Sequence, residues 1–262
     1  MNISEAVFLG VLQGITEFLP VSSSGHLVLA EYFLGLQGTS LAFDVTLHIG
    51  TLLAVMAFFF KDWAGMLRSI MPGGHEAKER KLLLYLMAGT VPGAVAGFLL
   101  EHAVSTYLRS PWVVVATLAG VALLLGLAEK LARLEKSFSS LGLPDAVLIG
   151  ISQALAIIPG VSRSGITMTC GLFLGFSREA AARFSFLLSA PIIAGAGLYE
   201  ALKLMNTNTH ITLNFLWGFL ASAVSGYLVI AFLMNYLKNN TFYPFVVYRL
   251  FLSAIVAALL LF

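Results

Sequence analysis

Glu17, Ser23 and His26 lie within ten positions of one another, in a stretch reading Gln13-Gly-Ile-Thr-Glu17-Phe-Leu-Pro20-Val-Ser22-Ser23-Ser24-Gly25-His26. A carboxylate, a hydroxyl and an imidazole are the parts of a base, a nucleophile and an acid. About 140 residues later Arg163 stands between Ser162 and Ser164, followed by Gly165 and Thr167. A guanidinium is a planar, permanently charged fork that grips phosphoryl oxygens in pairs, and the Ser and Thr hydroxyls can donate to the oxygens that remain. Glu17 does not suit an anion site by itself. It fits one where it holds a divalent cation bridging to phosphate, or acts as a base toward a hydroxyl or water. Gln13 precedes it by four residues and shares its helix face. Together these groups point to phosphoryl transfer, with Ser23 or His26 attacking phosphorus, His26 as acid/base partner of Ser23, or Glu17 activating a water.

The two stretches are copies of one design. Gly10 and Gln13 in the first match Gly150 and Gln153 in the second, and Gln to Gly is twelve residues in each, from Gln13 to Gly25 and from Gln153 to Gly165. The proline slips by one position, from Pro20 to Pro159. Each copy is expected to form a helix, a turn and a second half-helix. Ser22-Ser23-Ser24-Gly25 and Ser162-Arg163-Ser164-Gly165 would cap the second half-helices. The N-terminus of a helix offers free N–H groups and the positive end of its dipole, so both tips are suited to a phosphate.

Hydrophobic residues make up 59% of the 262 and charged residues 11%, with mean hydropathy +0.92. That balance is of an integral membrane protein. The expected fold is all-α: a single membrane domain over 1–262, made of two inverted-topology repeats, about 1–140 and 141–262. Each repeat is a re-entrant helix hairpin (2–36 and 144–176) followed by three transmembrane helices, at about 41–60, 82–100 and 111–130, then 180–203, 212–235 and 243–262. The polar stretch 61–81 reads as a loop. Irregular backbone at membrane depth needs protein or a water-filled cavity around it, which suits the tips. The net charge of +2 is too small to imply a nucleic-acid partner. Cys170, the one cysteine, reads as a small packing residue. The N-terminus shows no basic region ahead of its first apolar run, so a removable signal peptide is not expected.

Lys61, Arg68, Lys78, Arg80 and Lys81 share one loop and Lys130, Arg133 and Lys136 another, two spans later. The positive-inside bias makes those loops cytoplasmic, together with the loop of Lys238, and leaves only Arg109 and Lys203 between spans on the opposite side. Both termini then lie outside, and the first hairpin enters from outside. These loop charges read as solvated anchors. Other ionisable groups in apolar surroundings are assigned structural duties: Asp44 pairs with Arg183, His48 is hydrogen-bonded structure, and Glu200 and Arg249 anchor span ends at the interface.

The motif residues resemble the bacterial undecaprenyl-diphosphate phosphatase family, also called bacitracin-resistance proteins. The family's Glu/Gln-x-x-x-Glu element is matched by Gln13 to Glu17, its Phe-Leu-Pro-Val-Ser-Ser-x-Gly-His by Phe18 to His26, and its Pro-Gly-x-Ser-Arg-Ser-x-x-Thr by Pro159 to Thr167. The departure is Gln13, where other members have a carboxylate. The resemblance implies removal of the terminal phosphate from a C55 isoprenyl diphosphate, recycling the lipid carrier of cell-wall peptidoglycan synthesis. It also implies dependence on Mg²⁺ or Ca²⁺ held near Glu17 and Gln13, and an inner-membrane site open to the periplasm. Arg163 would stabilise the transferred phosphoryl group, while Ser22, Ser24, Gly25, Ser162, Ser164, Gly165 and Thr167 would line the substrate. The competing reading is a transporter or flippase of an anion or a polyprenyl phosphate, because inverted repeats with broken helices also serve transport. Membrane lipids are expected neighbours, and a homodimer is left open.

Overall fold

The computed structural model describes residues 2–34, 41–72, 77–108, 110–204 and 212–261, and Arg109 lies outside them. Every element of regular length is helical: α1 Ile3–Phe18, α2 Ser23–Leu34, α3 Leu41–Phe58, α4 Phe60–Ser69, α5 Ala77–Tyr107, α6 Pro111–Leu131, α7 Leu143–Ala154, α8 Arg163–Phe173, α9 Arg178–Leu204, α10 Leu213–Tyr236 and α11 Tyr243–Leu261. Five of these are long and apolar enough to cross a membrane, and the bent pair α3–α4 would make a sixth span. Their outward faces carry large apolar residues such as Phe98, Leu123, Val247 and Phe251, as expected where the solvent is lipid.

Local chemistry starts and stops the helices that matter. Asn2 caps α1 by accepting from the Glu5 N–H at 2.8 Å, while Glu5 accepts from the Asn2 N–H at 2.9 Å. α1 ends at Leu19, whose backbone is extended because Pro20 follows. α7 has Pro144 in its first turn, runs into a short 3₁₀ turn at Leu155–Ile157 and stops at Ile158, extended before Pro159. Both copies of the motif thus break at an X-Pro step and resume in a second helix a few residues later.

The hairpins are set among the spans by matched contacts. α1 packs on α10 and α3, α7 on α5, α3 on α9 and α10, α5 on α9, and α6 on α11 and α8. Two of these crossings are glycine on glycine. A Cβ on Gly150 would fall 2.7 Å from the Cα of Gly89 in α5, and one on Gly10 would fall against the carbonyl of Gly218 in α10 and 2.8 Å from the Ala221 Cβ. Small residues let membrane helices meet backbone to backbone. Gly150→Val should therefore force α7 away from α5 and destabilise the fold by about 1–3 kcal/mol or more. Gly97→Ala, at a position with nothing among the described residues within 4 Å of the added carbon, should leave a thermal melt in detergent unmoved or raised.

Some expectations change. The 61–81 stretch is no simple loop: α4 occupies much of it, turned 78° from α3, and α5 begins at Ala77. α4 sets Lys61, Asp62 and Arg68 among Phe60, Trp63, Met66 and Leu67, and the charge content of the stretch concealed it. Arg183 does not reach Asp44; it bonds Asp62 of α4 at 2.6 Å. Charges read as free anchors are partly structural, since Lys136 bonds Asp145 at 3.0 Å. Arg178 pairs with the buried Glu129, which also accepts from the Phe242 N–H at 3.3 Å. That group ties together the cytoplasm-assigned ends of α6, α9 and α11.

Candidate active site

Glu17 sits at the end of α1, where helical spacing and the stop at Pro20 aim it toward the turn and the second tip. Its carboxylate is the hub of the site. Oε1 accepts from Arg163 Nη2 at 2.7 Å, across 146 residues of sequence. Oε2 accepts from Ser23 Oγ at 2.6 Å and from Gln13 Nε2 at 3.1 Å, and His48 Nε2 stands 4.0 Å away. Glu17 and Arg163 are 8% and 12% exposed, so their attraction is screened far less than that of a surface pair. The pair is shielded yet reachable, as a site for a charged group must be.

The two half-helix N-termini meet here. Ser22 and Ser162 cap α2 and α8 by accepting from the Gly25 and Gly165 N–H groups at 3.2 and 3.0 Å. Both serines hold the left-handed region, at φ 78° and 74°, a strained state for a residue with a Cβ, costing roughly 1–3 kcal/mol each. The tips touch at two glycines: a Cβ on Gly25 would be 3.4 Å from the Gly160 Cα. Gly160, at φ +87°, is crowded by the backbone of Val114, and Thr117 Oγ1 donates to the neighbouring Pro159 carbonyl at 2.7 Å. Ser164 Oγ donates to the Leu19 carbonyl at 2.9 Å, stitching the second tip to the first.

Arg249 holds this junction. Fully buried in α11, its guanidinium donates from Nε to Leu118, from Nη1 to Pro20, and from Nη2 to Thr117, Gly160 and Val161, all carbonyls at 2.9 to 3.2 Å. Pro20 belongs to one tip and Gly160 and Val161 to the other. The interfacial anchor expected of Arg249 is thus a buried clamp between the two tips. Its neighbour Tyr248 was also missed: its hydroxyl is 2.6 Å from His26 Nε2, and the two rings stack at 5.7 Å. The sole sequence signal was an ionisable residue inside the apolar run of α11, and proximity to the span end argued the wrong way.

His26 Nδ1 donates to the Ser22 carbonyl at 2.7 Å, so the neutral ring carries its lone pair on Nε2, where Tyr248 donates. His26 is therefore not the hydrogen-bond partner of Ser23; Glu17 is. Ser24 is exposed beside it. Thr167 stands behind Arg163 rather than in the cluster, bonded to the Ser185 hydroxyl at 2.7 Å, while the Ser185 carbonyl accepts from Arg163 Nη1 at 3.2 Å. Ser22, Ser162, Ser164, Gly25 and Gly165 shape the tips. Gln13, Glu17, Ser23 and Arg163 are the groups brought into one contact set. His48, assigned to structure, does bond the Asp44 carbonyl at 2.8 Å but also faces Glu17.

A cation would find oxygen ligands at this hub. Gln13 Oε1 is buried with no hydrogen-bond partner among the described residues, beside the carboxylate its own Nε2 contacts. No group of three or more His, Cys, Asp or Glu suited to a metal occurs among the described residues, so most ligands would be phosphate oxygens and water, as Mg²⁺ commonly has them.

Residues 6–255 match the family described as "Bacitracin resistance protein BacA". The chain is 48% identical over 270 residues to a protein of Rubrobacter xylanophilus named undecaprenyl-diphosphatase, covering 100% of this chain and 99% of that one. It is 45% identical to one so named from Moorella thermoacetica, covering 98% of each, and 41% identical to another from Thermodesulfovibrio yellowstonii, covering 98% and 97%.

Proposed function

The chain belongs to the bacitracin resistance protein BacA family, and from that premise we propose how its two tips perform the family's reaction. The protein is a membrane-embedded undecaprenyl-diphosphatase, releasing inorganic phosphate from the lipid diphosphate and leaving the lipid monophosphate. The observation that carries the mechanism is the single carboxylate that bonds Ser23 on one tip and Arg163 on the other.

Ser23 Oγ attacks the terminal phosphorus as its proton passes to Glu17 Oε2, already 2.6 Å away. The bond between that phosphorus and the bridging oxygen breaks, and the lipid monophosphate leaves carrying the proton that Glu17 took from Ser23. Water, giving a proton to Glu17, then attacks the phosphoserine, and Ser23 recovers its hydrogen as phosphate departs. Among the described residues two of the five N–H groups of Arg163 are committed, to Glu17 and Ser185; the rest can meet phosphoryl oxygens, where charge stabilisation in a low-dielectric site counts most. The N–H groups at the starts of α2 and α8 add to that field. His26, with its N–H given to the Ser22 carbonyl and its Nε2 lone pair to Tyr248, takes no part in the attack. A bound Mg²⁺ or Ca²⁺, held by Glu17 and Gln13, would neutralise the diphosphate. Gln13 brings no charge of its own, so Glu17 carries the anionic share.

The repeats are read as inverted, with re-entrant hairpins entering from opposite sides. Swapping the halves exchanges α1–α10 with α7–α5 and α3–α10 with α9–α5, all of which are contacts present in the fold. The Gly10–Gly218 and Gly150–Gly89 crossings and the paired positive φ at Ser22 and Ser162 follow the same exchange. With the lysine- and arginine-rich ends cytoplasmic, the first hairpin and its site open to the periplasm.

Purified protein should release phosphate from a long-chain isoprenyl diphosphate, lose that activity in chelator and regain it with Mg²⁺ or Ca²⁺. Enzyme quenched in neutral denaturant should carry labelled phosphate on Ser23. Label on histidine would transfer the attack to His26, and full turnover in chelator would remove the cation from the reaction.

A further inference from the structure

Away from the active site, a cleft of about 580 Å³ opens where α3 bends into α4, beside the start of α9 and the end of α10. Five of its twelve lining residues are charged: Lys61, Arg183 and Lys238 against Asp62 and Glu179. Asp62 is taken by Arg183, which also lies over the Phe138 ring at 4.7 Å. Lys61 and Lys238 are exposed and make no ion pair among the described residues. Six of the twelve are apolar, with Phe58, Phe60, Ala231 and Met234 continuing the walls into the spans.

Depth in the membrane follows from α4. It turns 78° from α3, and Phe60, Leu67, Ile70 and Met71 on and just after it are 57% to 67% exposed beside Lys61 and Arg68. Such a helix lies in the interfacial plane with its apolar face in the acyl boundary. The mouth of the cleft is then at headgroup level, on the leaflet side marked by the lysine- and arginine-rich loops.

We propose that this cleft binds the headgroup of one anionic glycerophospholipid, its phosphate between Lys61 and Lys238 and an acyl chain along Phe58, Phe60 and Ala231. Three cations against two carboxylates leave one positive charge, which a phosphodiester neutralises. A phosphomonoester lipid, with a charge of about −1.5 to −2, would leave an excess beside Asp62 and Glu179. Basic pockets between membrane helices on this side are suited to such headgroups.

The test is native mass spectrometry of the full chain released from nanodiscs of equal phosphatidylglycerol and phosphatidylcholine. The wild type should retain a single phosphatidylglycerol. Each lysine near anionic lipid contributes about fivefold, so Lys238→Gln alone should lose about fivefold in occupancy and the Lys61→Gln/Lys238→Gln double variant roughly 25-fold, with phosphate release in detergent unchanged. Lys78→Gln/Arg80→Gln removes the same charge from the same side outside the cleft and should retain the lipid. Equal loss there, equal retention of phosphatidylcholine, displacement by millimolar inorganic phosphate, or preferential uptake of a polyprenyl monophosphate would each overturn the assignment.

Discussion

Glu17→Gln is expected to lower the rate of phosphate release at saturating lipid diphosphate by about 10²–10⁴-fold, the range of a lost general base, with a smaller change in KM. The substitution keeps the shape of the side chain but removes the proton acceptor for Ser23, whose hydroxyl is 2.6 Å from Oε2. Arg163→Lys should cost about 10²–10³-fold, because an ammonium keeps the charge but not the fork. The double variant should be little slower than the worse single one: each group positions the other through the 2.7 Å contact, and residues acting as a unit are strongly non-additive. Additive losses would mean that Glu17 and Arg163 work separately. A near-normal kcat in Glu17→Gln with a raised KM would make Glu17 a binding group and reassign the base.

Gln13, Glu17 and Ser23 were legible in the sequence because helical spacing alone brings the first two together and the break at Pro20 lets the chain return with the third. Arg163 was legible because the second copy repeats the first around it. Such local devices survive reading in one dimension. Sequence spacing could not show that Thr167, four residues from Arg163, turns back to Ser185 of α9, since α8–α9 packing decides which face of α8 meets the cavity. Nor could it show that His26 answers to Tyr248, 222 positions away. The α4 helix was hidden for a different reason: an interfacial helix mixes charge with apolar residues and so resembles a loop to any reading that looks for twenty apolar residues in a row. The pairing of Arg183 with Asp62 rather than Asp44 follows from that same hidden helix.

Arg249→Met should abolish phosphate release and also destabilise the fold, although Arg249 belongs to neither motif. The side chain has no carboxylate partner among the described residues; its charge is balanced by five carbonyl dipoles drawn from α6, the first tip and the second. Removing the donor leaves those carbonyls buried, and a buried polar group stripped of its partner costs about 1–3 kcal/mol. The left-handed Ser22 and Ser162 lie within two residues of the clamped Pro20 and Val161, so the strain they hold has to be supported by these bonds. Without the clamp both tips can relax, and the Glu17–Arg163 contact is lost with them. Arg249→Lys separates the two roles. A lysine keeps the charge but brings three donors from one point and cannot bridge the tips, so its melting temperature should recover in part. Its kcat should stay at least about 100-fold down, the cost of misplacing groups by an ångström, with KM much less affected. A lysine variant with normal kcat would show that Arg249 supports folding alone and that the tips find their geometry without it.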